Sequence, residues 1–315
     1  MRFKLIDTPW DIDEQREMLP FPFVEWSWLV QYRVRYKPVH HDLEEFLTWV
    51  PYYEHGHYNA ALLHLDLAPA NHFEDRLARR QVYEELNGVI RDIPKFVIVH
   101  GRCADIPDDL FGEIKDLIGS NLAVVSSEAV AEKLGVGYVI PPGINADHWI
   151  DLPKEPRIVT SLDRATGPDI QIIESLRNEL AARDIVLCRI GVDYIPDTWS
   201  DYRDFLGRSL FYFAHLSCSE RMRAAAMLSG CCVLASDADG RVTISNSTDI
   251  NPYLVSYEIA EMARLIEEFF ANPAQAIRIG QKAKRMARHF YDWDCYSRKW
   301  LKYLNYHVWT RQSGL

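Results

Sequence analysis

Residues 224–237 read "AAAMLSGCCVLASD". Three alanines, the strongest helix formers, run through Met227 and Leu228 to a single glycine at position 230. Glycine is the residue that ends a helix in the left-handed conformation. The apolar run Cys231–Ala235 that follows, closed by Ser236 and Asp237, reads as a short buried strand. A helix feeding directly into a buried strand is α/β grammar, and its small side chains let the helix backbone come close to a sheet or a ligand. The helix is expected over Met222–Ser229, immediately after "HLSCSER" (215–221). Its first turn then offers N–H groups to an anion, with Arg221 and Arg223 beside it. Taken alone, the pattern describes a tightly packed helix with no ligand better than it describes a site, and the Arg221/Arg223 pair also fits an ordinary solvated turn.

The grammar extends in both directions. Strands are expected at "KLID" (4–7), "ALLHLDL" (61–67), "KFVIVHG" (95–101), "LAVVSS" (122–127) and "GYVIPPGI" (137–144). Phe73, Leu77, Val82, Leu86 and Ile90 recur at helical spacing between the second and third of these. Strands separated by helices predict parallel pairing through crossover connections. The Pro-Pro-Gly at 141–143 punctuates the chain as a domain boundary would. A second series follows, with strands at "RIVTS" (157–161), "IVLCRIG" (185–191) and "SLFYFAH" (209–215) and helices over 168–183 and 257–270. The C-terminal segment is helical, broken near Asp292, and rich in Trp and Tyr.

Composition excludes several classes of protein. At 315 residues, 48% hydrophobic and 25% charged, the chain suits two soluble globular domains. No apolar run is long enough to span a bilayer. Pro9 and Asp11 come too early for a signal-peptide apolar region, so a cytoplasmic protein is expected. The six cysteines show no CxxC spacing and read as reduced thiols. A net charge of −10 argues against non-specific coating of nucleic acid. Arg33, Arg35 and Lys37 alternate in "QYRVRYK" (31–37), either as a solvated edge strand or, with Tyr32 and Tyr36, as a grip on a nucleic-acid strand.

The opening stretch resembles "EAMASGxPVVATD" of the GT-B glycosyltransferases, especially the large retaining family 4. Three further segments resemble that family in its own order: "VVSSEAVAEKLGVGYVIPPGIN" (124–145), "IVTSLDRATGPDIQIIESL" (158–176) and "NPAQAIRIGQKAKRMARHFYDWD" (272–294). The resemblance covers about residues 95–300. It implies a GT-B fold of two Rossmann-like domains facing a central cleft. Residues 1–145 would form the acceptor domain and 146–315 the donor domain, with the last helix able to cross back to the first.

The resemblance also implies a reaction: transfer of a sugar from a nucleotide-activated donor to an acceptor hydroxyl, with retention, no metal and no cofactor. Donor binding would fall to Ser161, Arg164, Arg189, Ser219, Glu220, Arg221, Met222 and Arg223, and catalysis to His100, Arg164 and Arg223. His64, Asp66 and Arg102 would line the acceptor side. This chain departs from the family at several of these places. The two glutamates usual in family 4 fall on Ser217 and Ala225, and its phosphate-binding Arg and Lys fall on Ser161 and Thr166. Arg164 and Glu220 are the available substitutes. The glycine-rich loop expected after the first strand is replaced by "DTPWDIDEQREML" (7–19).

His55, His57, His64 and Asp66 are spaced as metal ligands can be, but cleft lining is the reading preferred here. His100 reads either as a donor-side group or as a hydrogen-bonded interior histidine. The acceptor stays open among a glycan, a lipid-linked sugar, a small molecule and a hydroxymethylated DNA base. Two other functions stay open: a catalytically inactive nucleotide-sugar binding module and a nucleotide-sugar epimerase.

Overall fold

The computed structural model describes residues 3–8, 24–28, 58–67, 73–101, 106–135, 137–141, 143–162, 165–236, 242–246 and 253–309. Two compact units result, one from Met1–Pro142 together with Asp294–Leu315, the other from Gly143–Trp293. Among the described residues no helix is long and apolar enough to cross a membrane.

In the first unit the elements run β1 (Phe3–Thr8), β2 (Val24–Trp28), β3 (Ala60–Leu65), α1 (Phe73–Val89), β4 (Lys95–Val99), α2 (Asp108–Ile118), β5 (Leu122–Val125), α3 (Glu128–Leu134) and β6 (Tyr138–Val139). The strands form one sheet in the order β2-β1-β3-β4-β5-β6, parallel at every pairing. Successive strand residues point to opposite faces. Ala61, Leu63, Leu65, Val97, Val99 and Val125 accordingly pack against Val82, Tyr83 and Leu86 of α1, Leu110 and Ile114 of α2, and Val130 and Leu134 of α3. Burial on both faces explains why these strands read as continuous apolar runs rather than as alternation.

The second unit repeats the plan: β7 (Glu155–Ser161), α4 (Gly167–Ala181), β8 (Leu187–Ile190), α5 (Trp199–Arg208), β9 (Ser209–Ala214), α6 (Glu220–Leu228), β10 (Cys232–Ser236), β11 (Val242–Asn246), β12 (Tyr253–Tyr257), α7 (Ile259–Ala271) and α8 (Ala274–Tyr291). Its sheet order is β12-β11-β10-β9-β7-β8. The pairs among β8, β7, β9 and β10 are parallel, whereas β11 and β12 join antiparallel. Phe211 and Phe213 face α4, α7 and α8, while Tyr212 and Ala214 face Leu206 of α5 and Ala226 of α6.

The last helix, α9 (Trp293–Leu304), belongs to the first unit from Asp294 onward. Tyr296, Trp300, Tyr303 and Leu304 cover the second face of that sheet, over Ala60, Leu62, Phe96, Ile98 and Val124. Tyr303 also donates its hydroxyl to the Ala123 carbonyl at 3.4 Å.

Four strands differ from expectation. The fifth strand, expected over 137–144, is only two residues long, and two residues without an N–H, Pro141 and Pro142, follow shortly after it in the sequence. Strand β2, from "VEWSW", and the antiparallel pair β11 and β12 were not anticipated. The basic segment Arg33, Arg35 and Lys37 lies outside the described residues.

The opening stretch forms helix α6, a turn and strand β10. Ala224, Ala225 and Ala226 are all buried, Ala224 beside Ala287 of α8 and Ala226 on the sheet. Ser229 caps the helix, and Gly230 follows at φ +74°. Gly230 N donates to Met227 O and Cys231 N to Ala226 O, the paired bonds of a Schellman ending. Gly230 has a second constraint: a Cβ there would lie 2.4 Å from Asp151 Oδ1. A Cβ on Gly280 of α8 would lie 2.2 Å from the Gly230 carbonyl oxygen. The Asp151 carboxylate accepts from Gln281 at 2.5 Å and from Lys284 at 3.2 Å, and pairs with the buried Lys154 at 3.2 Å. Lys154 Nζ in turn donates to the carbonyls of Ser229 and Gly207, at 2.5 and 2.7 Å.

Gly230→Ala should destabilise the protein by about 2 kcal/mol or more, since left-handed strain and a clash add together. Gly112 of α2 is the control: a Cβ there meets nothing within 4 Å. Gly112→Ala should stabilise by about 0.5–1 kcal/mol. Urea unfolding midpoints measure both.

A second prediction concerns pH. Burial works to raise the Asp151 pKa, but the bonds from Gln281, Lys154 and Lys284 prevail and lower it. A carboxyl group lowered in this way contributes stability that is complete above its unfolded pKa, about 3.9. That contribution is lost as pH falls through the folded value. The stability gap between the wild type and Asp151→Asn should therefore be widest at neutral pH and should shrink below about pH 4. A gap that stays constant from pH 7 to pH 3 would contradict this.

Candidate functional site

In the second unit, β7 and β9 are adjacent and parallel, so the loops leaving Ser161 and Ala214 start side by side at the carboxyl edge of the sheet. Open α/β sheets present ligand-binding loops at this edge. Thr166 ends the first loop and caps α4. Asp169, in the first turn of α4, accepts through Oδ2 from Thr166 N at 2.9 Å and from Thr166 Oγ1 at 2.6 Å. Its other oxygen accepts from Ser217 N in the second loop at 3.2 Å and lies 3.5 Å from Nδ1 of the fully buried His215. Burial of Asp169 opposes ionisation, yet the hydrogen bonds from Ser217 and Thr166 outweigh it. The carboxyl is held well below the usual carboxylate range.

The second loop leads into α6. Ser219 is its N-cap, with Oγ accepting from Met222 N at 3.2 Å. The Arg223 N–H donates to Ser219 O, and Arg221 and Arg223 both leave the first turn half-buried. Arg223 Nε is buried without a hydrogen-bond partner among the described residues. Met222 packs below, its sulfur accepting from Tyr202 Oη at 3.4 Å. The Glu220 carboxylate accepts from Tyr291 Oη at 2.9 Å. Burial and that carboxylate raise the Tyr291 pKa, so the phenol stays a donor.

Ser161 at the end of β7 and Ser219–Arg223 at the start of α6 thus lie at one edge of the sheet. Arg189 does not join them. It stands on the outer strand β8, with Nε and Nη2 on Asp193 at 2.8 and 2.9 Å and Nη1 on Glu174 at 3.0 Å. Arg164 lies outside the described residues. Ser217 and Ala225, where family 4 has glutamates, are both buried, Ala225 completely.

The acceptor-side residues belong to the first unit. His64 Nδ1 and His100 Nε2 are 2.7 Å apart at the carboxyl ends of β3 and β4, their rings nearly parallel. Asp66 is buried and accepts from Arg79 Nη1 at 2.9 Å; the same nitrogen donates to the Asp66 carbonyl at 2.8 Å. Arg102, His55 and His57 lie outside the described residues. Among the described residues no three His, Cys, Asp or Glu side chains are grouped to hold a metal. Burial pushes the Cys231 thiol up to about 12, which leaves it protonated and inert at neutral pH.

Sequence reading passed over Asp169 and His215. The available signal was the pattern Thr166-x-x-Asp169 ahead of a helix, a capping-box spacing that reports on the helix start but not on the neighbouring loop.

No family model matches this sequence, and no curated protein does. Solved structures do match its fold. The Anabaena protein HepE in complex with UDP-glucose aligns over 100% of both chains at 11% identity, with a TM-score of 0.62. Sucrose-phosphate synthase from Thermosynechococcus elongatus aligns over 96% of this chain and 98% of its own, at 12% identity and a TM-score of 0.67. TarM from S. aureus, in a complex that includes UDP, aligns over 84% of this chain and 59% of its own, at 14% identity and a TM-score of 0.59. Two α/β units, each built on a mostly parallel six-stranded sheet, give this chain the GT-B fold.

Proposed function

We propose that this protein is a glycosyltransferase that moves a sugar from a nucleoside diphosphate to an acceptor hydroxyl. The observation that carries the reading is the first turn of α6, set at the carboxyl edge of a parallel sheet with Arg221 and Arg223 on it, in a fold shared with proteins solved with UDP or UDP-glucose. The second unit is the donor-binding unit in this reading, and the first carries the acceptor-side groups His64, Asp66, His100 and Arg102.

Glycosyl transfer builds negative charge on the departing diphosphate. A helix N-terminus and arginines stabilise that charge where it develops, with no metal required. Arg223 and Arg164 are assigned to this work, and retention of configuration follows the family 4 resemblance. A second reading, a binding module without catalysis, draws on one observation. Ala225 and Ser217 leave no carboxylate where family 4 has two.

Thermal unfolding with UDP, GDP, ADP and TDP tests the donor site. One of them should stabilise the protein by about 2.7 kcal/mol at 100 times its dissociation constant. If none of the four does, the donor-site reading fails. Binding without any hydrolysis or transfer of the matching nucleotide sugar would favour the binding module.

A separate prediction addresses the catalytic groups. Arg223→Ala should lower kcat about tenfold to a hundredfold, with a smaller change in donor affinity, because the diphosphate charge is greatest in the transition state. Arg288 pairs with Asp147 on the surface, and Arg288→Ala should leave turnover unchanged. Turnover should also persist in EDTA. Loss on chelation with recovery on adding one metal would overturn the metal-free reading.

A further inference from the structure

The Asp169 carboxylate joins two loops. One oxygen holds the Thr166 backbone and hydroxyl, and the other reaches Ser217 N, with His215 Nδ1 3.5 Å away. The residues it bridges leave adjacent strands, and Ser217 lies two positions before the α6 cap, Ser219. Around Ser217 the backbone turns tightly, with Cys218 N donating to His215 O at 2.9 Å.

The molecule contains a matched counterpart. At the start of α5, Thr198 N and Oγ1 donate to Asp201 Oδ2 at 3.0 and 2.8 Å, the same capping arrangement. Asp201 is exposed, whereas Asp169 is only 2% exposed. Burying a carboxylate is costly unless it is fully hydrogen-bonded, and capping alone does not require burial, as Asp201 demonstrates. The second bond, to Ser217, distinguishes Asp169.

We propose that Asp169 is a positioning residue that fixes the 215–219 loop, and through it the direction in which the first turn of α6 meets the donor diphosphate. This role rests on the donor-site reading above. Without the Ser217 bond the loop loses its tie to α4, and the α6 N–H groups and Arg223 lose a fixed geometry. Displacements of about 1 Å in such groups cost up to a hundredfold in rate.

Two substitutions separate positioning from helix capping. Asp169→Glu keeps a residue favoured at this capping position but moves the second oxygen away from Ser217 N. Asp169→Asn keeps the shape but turns an amide donor toward one of the two N–H groups. Asp201→Asn is the control for loss of a cap alone. With UDP as the probe, both Asp169 variants should bind at least tenfold more weakly than the wild type. Amide hydrogen exchange across 217–222 should be faster in both. Asp201→Asn should bind UDP within twofold of the wild type while losing melting temperature.

UDP binding by Asp169→Glu equal to wild type would overturn the positioning role and leave the donor site standing. Equal losses in Asp169→Asn and Asp201→Asn would also overturn it, assigning the effect to capping. If the wild type binds none of UDP, GDP, ADP or TDP, the donor-site reading and this inference fall together.

Discussion

Everything in the second unit is arranged around a turn with no room for a side chain. Gly230 has the Asp151 carboxylate on one side, and α8 crosses it at Gly280. The carboxylate is there because Lys154, Gln281 and Lys284 hold it, and Lys154 also donates to the Gly207 and Ser229 carbonyls at the ends of α5 and α6. A buried cation that served only as a charge partner would be a poor source of stability. This one also donates to the Ser229 carbonyl, and a buried acceptor left unmet carries a desolvation penalty of about 1–3 kcal/mol. The turn fixes where α6 stops, and therefore where its other end, the one facing the candidate ligand, begins.

The far end of α6 is governed by charge rather than by space. Two arginines and a helix N-terminus make it electropositive, but a glutamate occupies its first position. The Tyr291 hydroxyl holds that glutamate, and the neighbouring backbone of 144 and 292–293 is bonded in parallel. The carboxylate is thereby tied to the end of α8, while Arg223 Nε is buried with no hydrogen-bond partner among the described residues.

The strands buried on both faces, β3, β4, β7 and β9, were legible as apolar runs of about the right length, and Gly230 and Asp292 marked helix ends correctly. Periodicity reports burial, so the half-polar strands escaped. Val242 and Ile244 alternate with Thr243 and Ser245, a weaker signal than a continuous run. Arg221, Met222 and Arg223 could be placed because they adjoin a recognisable helix start. Arg189 reads in sequence as a donor-side arginine, and nothing local announces its partners, Asp193 just past the end of β8 and Glu174 on α4. Asp169 shows the limit most directly: its cap is written in four consecutive residues, whereas its bond to Ser217 spans 48 positions of chain. Contacts set by strand order have no local spelling.

The path of the chain has one consequence for biosynthesis. The second unit is a single continuous segment, 143–293, so everything in its core is available once that segment has emerged. The first unit is split. Its sheet face of Ala60, Leu62, Phe96, Ile98 and Val124 waits for Tyr296, Trp300, Tyr303 and Leu304, more than 150 residues behind Val124. At about 5–20 residues per second the ribosome takes on the order of ten seconds or more to deliver them. For that interval the sheet lacks the α9 side chains that pack on this face, and apolar surface exposed during synthesis makes a chain aggregation-prone. Order of synthesis and order of completion are therefore reversed: the unit begun first is the one closed last.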